Sequence, residues 1–148
     1  MTRMKIDKNA WVVVCDGSKA LFLENAGDSK FPNLQTRDVF EQKVPLTSEL
    51  GTDAPGRAYA SVGGGRSSVE QTDFHDQQET EFLRSITAKL DAALNAGQVK
   101  SIIVVAPPRA LGVMRQAYTN GLKQAVRGEI QKDYVKLPVY EIEKHLAA

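Results

Sequence analysis

The spacing of apolar residues divides the chain into strand-like and helix-like segments. Trp11-Val-Val-Val-Cys15 is a short β-branched run closed by Asp16-Gly17, which predicts a strand buried on both faces and a tight turn. Residues 20–24 follow directly after this turn and predict a second strand that forms a hairpin with the first. Residues 34–43 alternate between apolar and polar side chains, which predicts a third, less buried strand. The economical interpretation of these three segments is an antiparallel meander.

The second half of the chain has a mainly helical pattern. Apolar residues recur at every fourth position from Phe82 to Leu94, so we predict a helix over residues 73–95, ended by Gly97. A buried strand over 101–106 follows, and then a helix that opens at Pro108. The remaining predicted elements are a short helix over 120–126, a strand over 129–135 and a terminal helix over 138–146. This order predicts an α/β fold, a mixed β-sheet with helices packed on it.

No apolar period is visible between residues 45 and 72. We predict a long glycine-rich loop there, and loops of that length inside a domain are typically functional or mobile. Between Asp53 and Glu70 the only charged residues are Arg57 and Arg66. The segment 54–69 is therefore locally basic and is the candidate anion-facing loop.

The overall composition is that of one ordinary globular domain spanning residues 1–148. The 148 residues are 42% hydrophobic and 25% charged, with a net charge of +1, which gives no bulk electrostatic reason to bind nucleic acid or membranes. Residues 1–108 hold 12 basic and 14 acidic groups, whereas 109–148 hold 7 and 4, so a focused anion site stays open. One cysteine, no membrane-length apolar run and no signal-peptide pattern make the cytoplasm the expected location. The oligomeric state is left open.

The candidate phosphate or RNA contacts lie in two places. Backbone N–H groups of a glycine run offer an anion nest, and arginine beside them supplies a fixed charge. These candidates are Arg57, Gly63, Gly64, Gly65 and Arg66 in the loop, and Arg109 where the predicted strand 101–106 meets the next helix. The glycine run matches neither the Walker A motif nor a dinucleotide fingerprint, so no cofactor is expected. The alternative for both places is purely structural, a solvated loop and a tight strand-to-helix turn.

A second cluster carries the side chains that divalent metals prefer. His75 and Glu79 are four residues apart and share a helical face with Asp76. Together with Asp16 and Asp73 they are weak candidate ligands, because acids are favoured at a helix N-terminus without any metal. We therefore predict no metal site. Cys15 is interpreted as a buried small hydrophobe rather than a nucleophile.

Several short motifs, in this order, resemble the bacterial host attachment family, the "protein required for attachment to host cells". They are WVVVCDG at 11–17 with 20–24, PGR at 55–57, SVG at 61–63, residues 73–82, and APPRALG at 106–112. That family is similar to the middle domain of archaeal and eukaryotic peptide-chain release factors, which implies a ribonuclease H-like fold. In those factors a Gly-Gly-Gln loop reaches the ribosomal peptidyl-transferase centre.

By position, the resemblance places Gly63, Gly64 and Gly65 on the glycines of that loop. Arg66 stands where glutamine is expected, which argues against peptidyl-tRNA hydrolysis and against an enzyme in general. The resemblance implies a domain, non-catalytic or weakly catalytic, that associates with the ribosome, tRNA or other RNA. Two alternatives remain, an adhesion or protein-interaction module needed for attachment and a metal-dependent nuclease that uses the acids named above.

Overall fold

A five-stranded mixed sheet forms the centre of the protein. The computed structural model describes residues 5–42 and 67–147, and for residues 67–75 and 147 only the backbone. The elements in chain order are β1 (Trp11–Cys15), β2 (Lys19–Asn25), β3 (Leu34–Glu41), α1 (Ser67–Asn95), β4 (Ile102–Val105), α2 (Pro108–Ala117), α3 (Asn120–Ala125), β5 (Val126–Ile130) and α4 (Val139–Ala147).

Strand β1 lies in the middle of the sheet order β3-β2-β1-β4-β5. It pairs antiparallel with β2, Trp11 opposite Glu24, and parallel with β4, Trp11 opposite Ile102. All five of its residues are buried, as expected for a strand covered on both faces. Strands β4 and β5 are also parallel, so β1, β4 and β5 end at the same edge of the sheet.

Helices cover both faces of this sheet. Alternate residues of β1 point into two separate apolar clusters, because successive side chains of a strand face opposite sides. One cluster contains Trp11 and Val13 with residues of α1, α2 and α3, and the other contains Val12 and Val14 with residues of α4. The protein is thus a three-layer α/β/α sandwich in the described residues.

Buried Asn25 joins the N-terminal segment to the turn between β2 and β3. Its amide donates hydrogen bonds to the carbonyl oxygens of Ile6, Asp7 and Asp28 at 2.9–3.2 Å. Its carbonyl oxygen accepts hydrogen bonds from the backbone N–H groups of Gly27 and Asn33. The side chain is therefore a fully used structural polar group.

The predicted α/β class and the N-terminal antiparallel meander are confirmed, and β1 has the predicted bounds. Two elements differ most from their predicted bounds. Helix α1 begins at Ser67 and not at 73, so the predicted loop 45–72 ends earlier, because polar residues such as Glu70 and Gln71 continue a helix without an apolar stripe. The last strand covers Val126–Ile130 instead of 129–135, since α3 runs directly into it.

Candidate functional site

A small cleft opens at the sheet edge where β1 and β4 end. Gly17 follows β1, Pro107 and Arg109 follow β4, and Asp76 and Glu79 of α1 close the opposite wall. The cleft, called the Arg109 cleft below, has a volume of about 150 Å³. Pockets for drug-sized ligands run from roughly 300 to 1,000 Å³, so this one fits an ion or a small anionic group.

Arg109, predicted as an anion contact, contacts a carboxylate in this structure. Its guanidinium lies 2.5 Å from the Asp76 carboxylate, with 68% and 41% of the two side chains exposed. Arg109 follows Pro108, the first residue of α2, whose first turn holds no acidic residue. The amino end of a helix and a guanidinium both attract negative charge, so Asp76 occupies a position that suits an anion.

Gly17 allows α1 to approach the end of β1 closely. A Cβ atom at this position would lie 2.7 Å from both Cγ and Cδ of Glu79. The neighbouring turn is held by Asp16, whose carboxylate accepts hydrogen bonds from the backbone N–H groups of Ser18 and Lys19 at 2.8 and 2.9 Å. Asp16 is thus engaged in shaping the turn beside the cleft.

The weak metal candidates do not assemble in the described part of the chain. Asp76 pairs with Arg109 and Asp16 serves the turn, while Glu79 lies against Gly17. The side chains of Asp73 and His75 lie outside the described residues. Within residues 5–42 and 67–147 no group of three or more His, Cys, Asp or Glu side chains is arranged to hold a metal ion.

The candidate loop residues Arg57, Gly63, Gly64, Gly65 and Arg66 lie outside the described residues. The flank that precedes them is described. The backbone N–H of Gln42 donates to the Ser18 carbonyl oxygen at 2.8 Å, and its side-chain amide donates to the backbone and side-chain oxygens of Gln78 at 3.1 and 3.2 Å. Ser18 and Gln78 adjoin Gly17 and Glu79, so the chain leaves β3 beside the Arg109 cleft.

Cys15, the last residue of β1, is fully buried, as expected from its sequence context. Its Sγ lies 3.5 Å from the Met114 sulfur of α2. Burial raises the pKa of the thiol to about 12, and the nearby Asp16 carboxylate adds to this effect. A neutral, buried thiol is a poor nucleophile.

Sequence reasoning missed a polar cluster between α2 and β5. The Glu129 carboxylate accepts hydrogen bonds from Arg115 at 2.6 and 2.8 Å and from the Tyr118 hydroxyl at 2.9 Å. Burial and, secondly, the bond to Glu129 raise the pKa of Tyr118 above its ordinary value. No spacing rule brings these residues together, since they meet only when β5 pairs with β4.

The mixed sheet with helices on both faces defines an α/β fold. The structure is similar to an archaeal translation termination factor, aRF1, with a TM-score of 0.50 and 14% identity over 93% of this chain and 36% of that one. A further similar structure is Dom34 of S. cerevisiae, a translation termination-like factor, with a TM-score of 0.40 and 15% identity over 97% of this chain and 37% of that one. The chain thus spans little more than a third of these factors, and the likeness concerns the fold.

The chain belongs to the family described as "protein required for attachment to host cells", whose profile matches residues 11–146. A relative in Rickettsia prowazekii (strain Madrid E), described as an uncharacterized protein, is 37% identical over 79 residues. That match spans about half of either chain, 52% of this one and 53% of the relative. In the described residues no helix is both long and apolar enough to cross a membrane.

Proposed function

We propose that this protein associates with RNA, in the setting of the ribosome or tRNA, through the basic segment 54–69 and Arg109. The observation that carries the proposal is the meeting of three features at one sheet edge. They are the amino end of α2, the Arg109 guanidinium and the point at which the chain leaves β3 towards the basic segment. Open α/β sheets bind ligands at the carboxyl edge of their parallel strands.

The proposal assigns phosphate contact to Arg57, Arg66 and the backbone N–H groups of Gly63, Gly64 and Gly65. The segment resumes as α1 at Ser67, nine residues before Asp76, or about 14 Å along a helix axis. The described residues on either side of residues 43–66, Gln42 and Ser67, connect to β3 and to α1, the helix that carries Asp76 and Glu79. No catalytic step is proposed, and among the described residues no His, Cys, Asp and Glu side chains group to hold a metal ion there.

The test is binding of purified ribosomes and of tRNA across a salt series. Phosphate contacts release counterions, so the logarithm of the affinity falls with the logarithm of salt concentration. Arg57→Ala/Arg66→Ala should weaken binding and make that slope shallower by about 2, roughly one for each lost contact. The control is Arg84→Ala/Lys100→Ala, which removes two exposed cations elsewhere. Equal binding by the wild type and the loop variant would contradict the proposal.

The family description supports one rival, a protein-interaction module used in attachment. It concerns a requirement for attachment to host cells and names no reaction. The RNA proposal places the protein in the cytoplasm, whereas direct adhesion requires it on the cell surface. Fractionation of intact cells, with surface-accessible protein scored by protease treatment, separates the two, and surface protein that fails to bind RNA favours adhesion.

A further inference from the structure

Strand β5 lies at one edge of the sheet, and a groove lies between it and the ends of α2 and α3. Among the described strands β5 pairs only with β4. The groove has a volume of about 400 Å³ and is called the β5 groove below. Its lining comprises four consecutive strand residues and residues at the ends of the two helices: Val126, Arg127, Gly128 and Glu129 with Arg115, Tyr118 and Lys123.

The backbone of β5 offers hydrogen-bonding groups on the side away from β4. The Ile130 carbonyl oxygen accepts a hydrogen bond from the N–H of Ala106, the residue after β4, so the backbone of Ile130 faces β4. Successive residues of a strand direct their N–H and C=O groups to opposite edges, which places those of Glu129 on the open edge. Arg127 has no partner residue on β4, because the pairing shifts register there. An edge with no partner among the described strands is a template for another strand.

Positive charge dominates the β5 groove. Its one carboxylate, Glu129, accepts hydrogen bonds from Arg115 through one oxygen and from the Tyr118 hydroxyl through the other. Lys123 and Arg127 are exposed, and the three ion pairs found within residues 5–42 and 67–147 involve neither of them. The groove therefore carries two cations that pair with no carboxylate of the described residues.

We propose that the β5 groove binds an extended acidic peptide segment of a partner protein, which joins the sheet beside β5 as a further strand. In this mode of peptide recognition, main-chain hydrogen bonds give affinity and alternate side chains give specificity. The open backbone groups of Glu129 supply the first, and the cations of the groove supply the second. Complementary charge is the reason for assigning an acidic occupant.

The strand register identifies the face of the sheet on which the peptide carboxylates lie. Glu129 pairs with Val104, whose side chain belongs to the apolar cluster that contains residues of α1, α2 and α3. Arg115 lies on this face, where it is bonded to Glu129. Every second side chain of an added strand points to the same face. Carboxylates at those positions are the ones that approach Arg115 and Lys123.

Two other occupants match the groove less well. RNA phosphates match its cations, but they only accept hydrogen bonds and gain nothing from the outward carbonyl oxygen of Glu129. A second copy of this chain, paired through the same strand, would bring like cations to the same edge, and like charges opposite each other in a sheet are destabilising. An acidic peptide offers negative side chains together with backbone donors and acceptors.

This inference does not depend on the proposed RNA association. The β5 groove lies at the last turn of α2 and the Arg109 cleft at its first, and the two sites share no lining residue. A protein that binds the acidic peptide and fails to bind RNA supports this inference and contradicts the proposed function. The reverse result contradicts this inference alone.

The test is a titration of ¹⁵N-labelled wild-type protein, followed in ¹H–¹⁵N correlation spectra. The probe is a short, end-blocked peptide in which glutamate and valine alternate. A new hydrogen bond moves an N–H peak downfield, so the backbone N–H of Glu129 should show a saturable downfield shift. A fully N-methylated peptide of the same sequence keeps every carboxylate but has no N–H donor. It should bind at least about tenfold more weakly, because main-chain hydrogen bonds are lost.

Matched variants test the contribution of charge. Lys123→Ala and Arg127→Ala should each weaken binding of the acidic peptide by about fivefold, as expected for the loss of one exposed ion pair. Lys100→Ala, at an exposed lysine outside the groove, is the control and should leave binding unchanged. A peptide with glutamine in place of glutamate should bind at least about tenfold more weakly to the wild type, because several ion pairs are lost together.

Four outcomes would overturn the assignment. Absence of a saturable Glu129 shift with the acidic peptide would exclude strand addition at this edge. Equal binding of the methylated and unmethylated peptides would show attraction of charge without strand pairing. A tighter response to oligouridylate than to the acidic peptide would assign the groove to RNA. A Glu129 shift that depends on protein concentration in the absence of peptide would assign the edge to a second copy of this chain.

Discussion

Replacing Asp76 with Asn should strengthen RNA binding, because Asp76 occupies the guanidinium that we assign to phosphate. The Asp76–Arg109 pair is well exposed, 41% and 68% of the side chains, and exposed ion pairs stabilise proteins by about 0 to 1 kcal/mol. For a chain of 148 residues a loss of 1 kcal/mol lowers Tm by about 2 to 4 °C. The variant should therefore remain folded under assay conditions.

The expected gain in affinity has two sources. In the variant, RNA binding no longer requires Arg109 to break its ion pair with Asp76, and such an exposed pair is worth up to about 1 kcal/mol. A phosphate held by Arg109 is also spared the repulsion of Asp76, about 0.7 kcal/mol for unit charges roughly 6 Å apart in water. Together these contributions, up to about 1.7 kcal/mol, predict up to a roughly 18-fold lower Kd at low salt, with the difference shrinking as salt screens both interactions.

The assay is a double-mutant cycle in ribosome and tRNA binding. Asp76→Asn and Arg109→Ala are measured singly and together, with Asp133→Asn as an exposed aspartate that changes the net charge equally. The gain from Asp76→Asn should disappear in the Arg109→Ala background. A gain of the same size in that background, or in Asp133→Asn, would show a general charge effect and refute the role given to the pair.

Three further predictions concern the scaffold. Leu90→Ala, in the core between α1 and the sheet, should lower the free energy of unfolding by about 3 kcal/mol in urea denaturation, and a loss below 1 kcal/mol would contradict the packing described. Gly27→Ala would place a Cβ 2.2 Å from the Phe31 carbonyl oxygen and should cost about 2 to 3 kcal/mol, whereas Gly112→Ala, with open space around it inside α2, should stabilise by about 0.5 to 1 kcal/mol. The pKa of Cys15 is raised from 9.0 to about 12 by folding, so the folded protein favours the neutral thiol. The resulting contribution to the free energy of unfolding is fully present below pH 9 and is lost as pH rises towards 12. Urea denaturation of the wild type and of Cys15→Ala is measured from pH 8 to 11. Above pH 9 the free energy of unfolding of the wild type should fall by about 1.4 kcal/mol per pH unit relative to that of the variant, and the same pH dependence in both proteins would exclude this linkage.

The central strands and the packed half of α1 follow from the sequence because burial leaves a pattern. Strand β1 is apolar at every position because both of its faces are covered. Phe82, Ile86 and Leu90 lie four residues apart, and this spacing marks the apolar stripe of α1 that packs on the sheet. The start of α1 leaves no such pattern. Its first turns are polar, and neither a stripe nor a breaker distinguishes them from the loop before them.

The candidate site is only partly predictable for a related reason. Arg109 can be placed at the end of β4 from the order of elements alone. Its pairing with Asp76, and the meeting of Arg115, Tyr118 and Glu129, depend on how helices pack on the sheet. The sequence also does not show that the buried Trp11 indole N–H lacks a hydrogen-bond partner among the described residues, because tryptophan in a buried strand indicates only a large core residue.

The central position of β1 has a consequence during synthesis. Strand β1 can pair with β2 as soon as both have left the ribosome, but its other edge waits for β4, since Trp11 pairs with Ile102. At about 5 to 20 residues per second, the roughly ninety intervening residues take about 5 to 18 s to make. For that time the nascent hairpin exposes an unpaired, fully apolar edge, a feature prone to aggregation. Folding of this chain should therefore be slow, because the central strand completes its pairing only with a distant segment, however stable the finished sheet is.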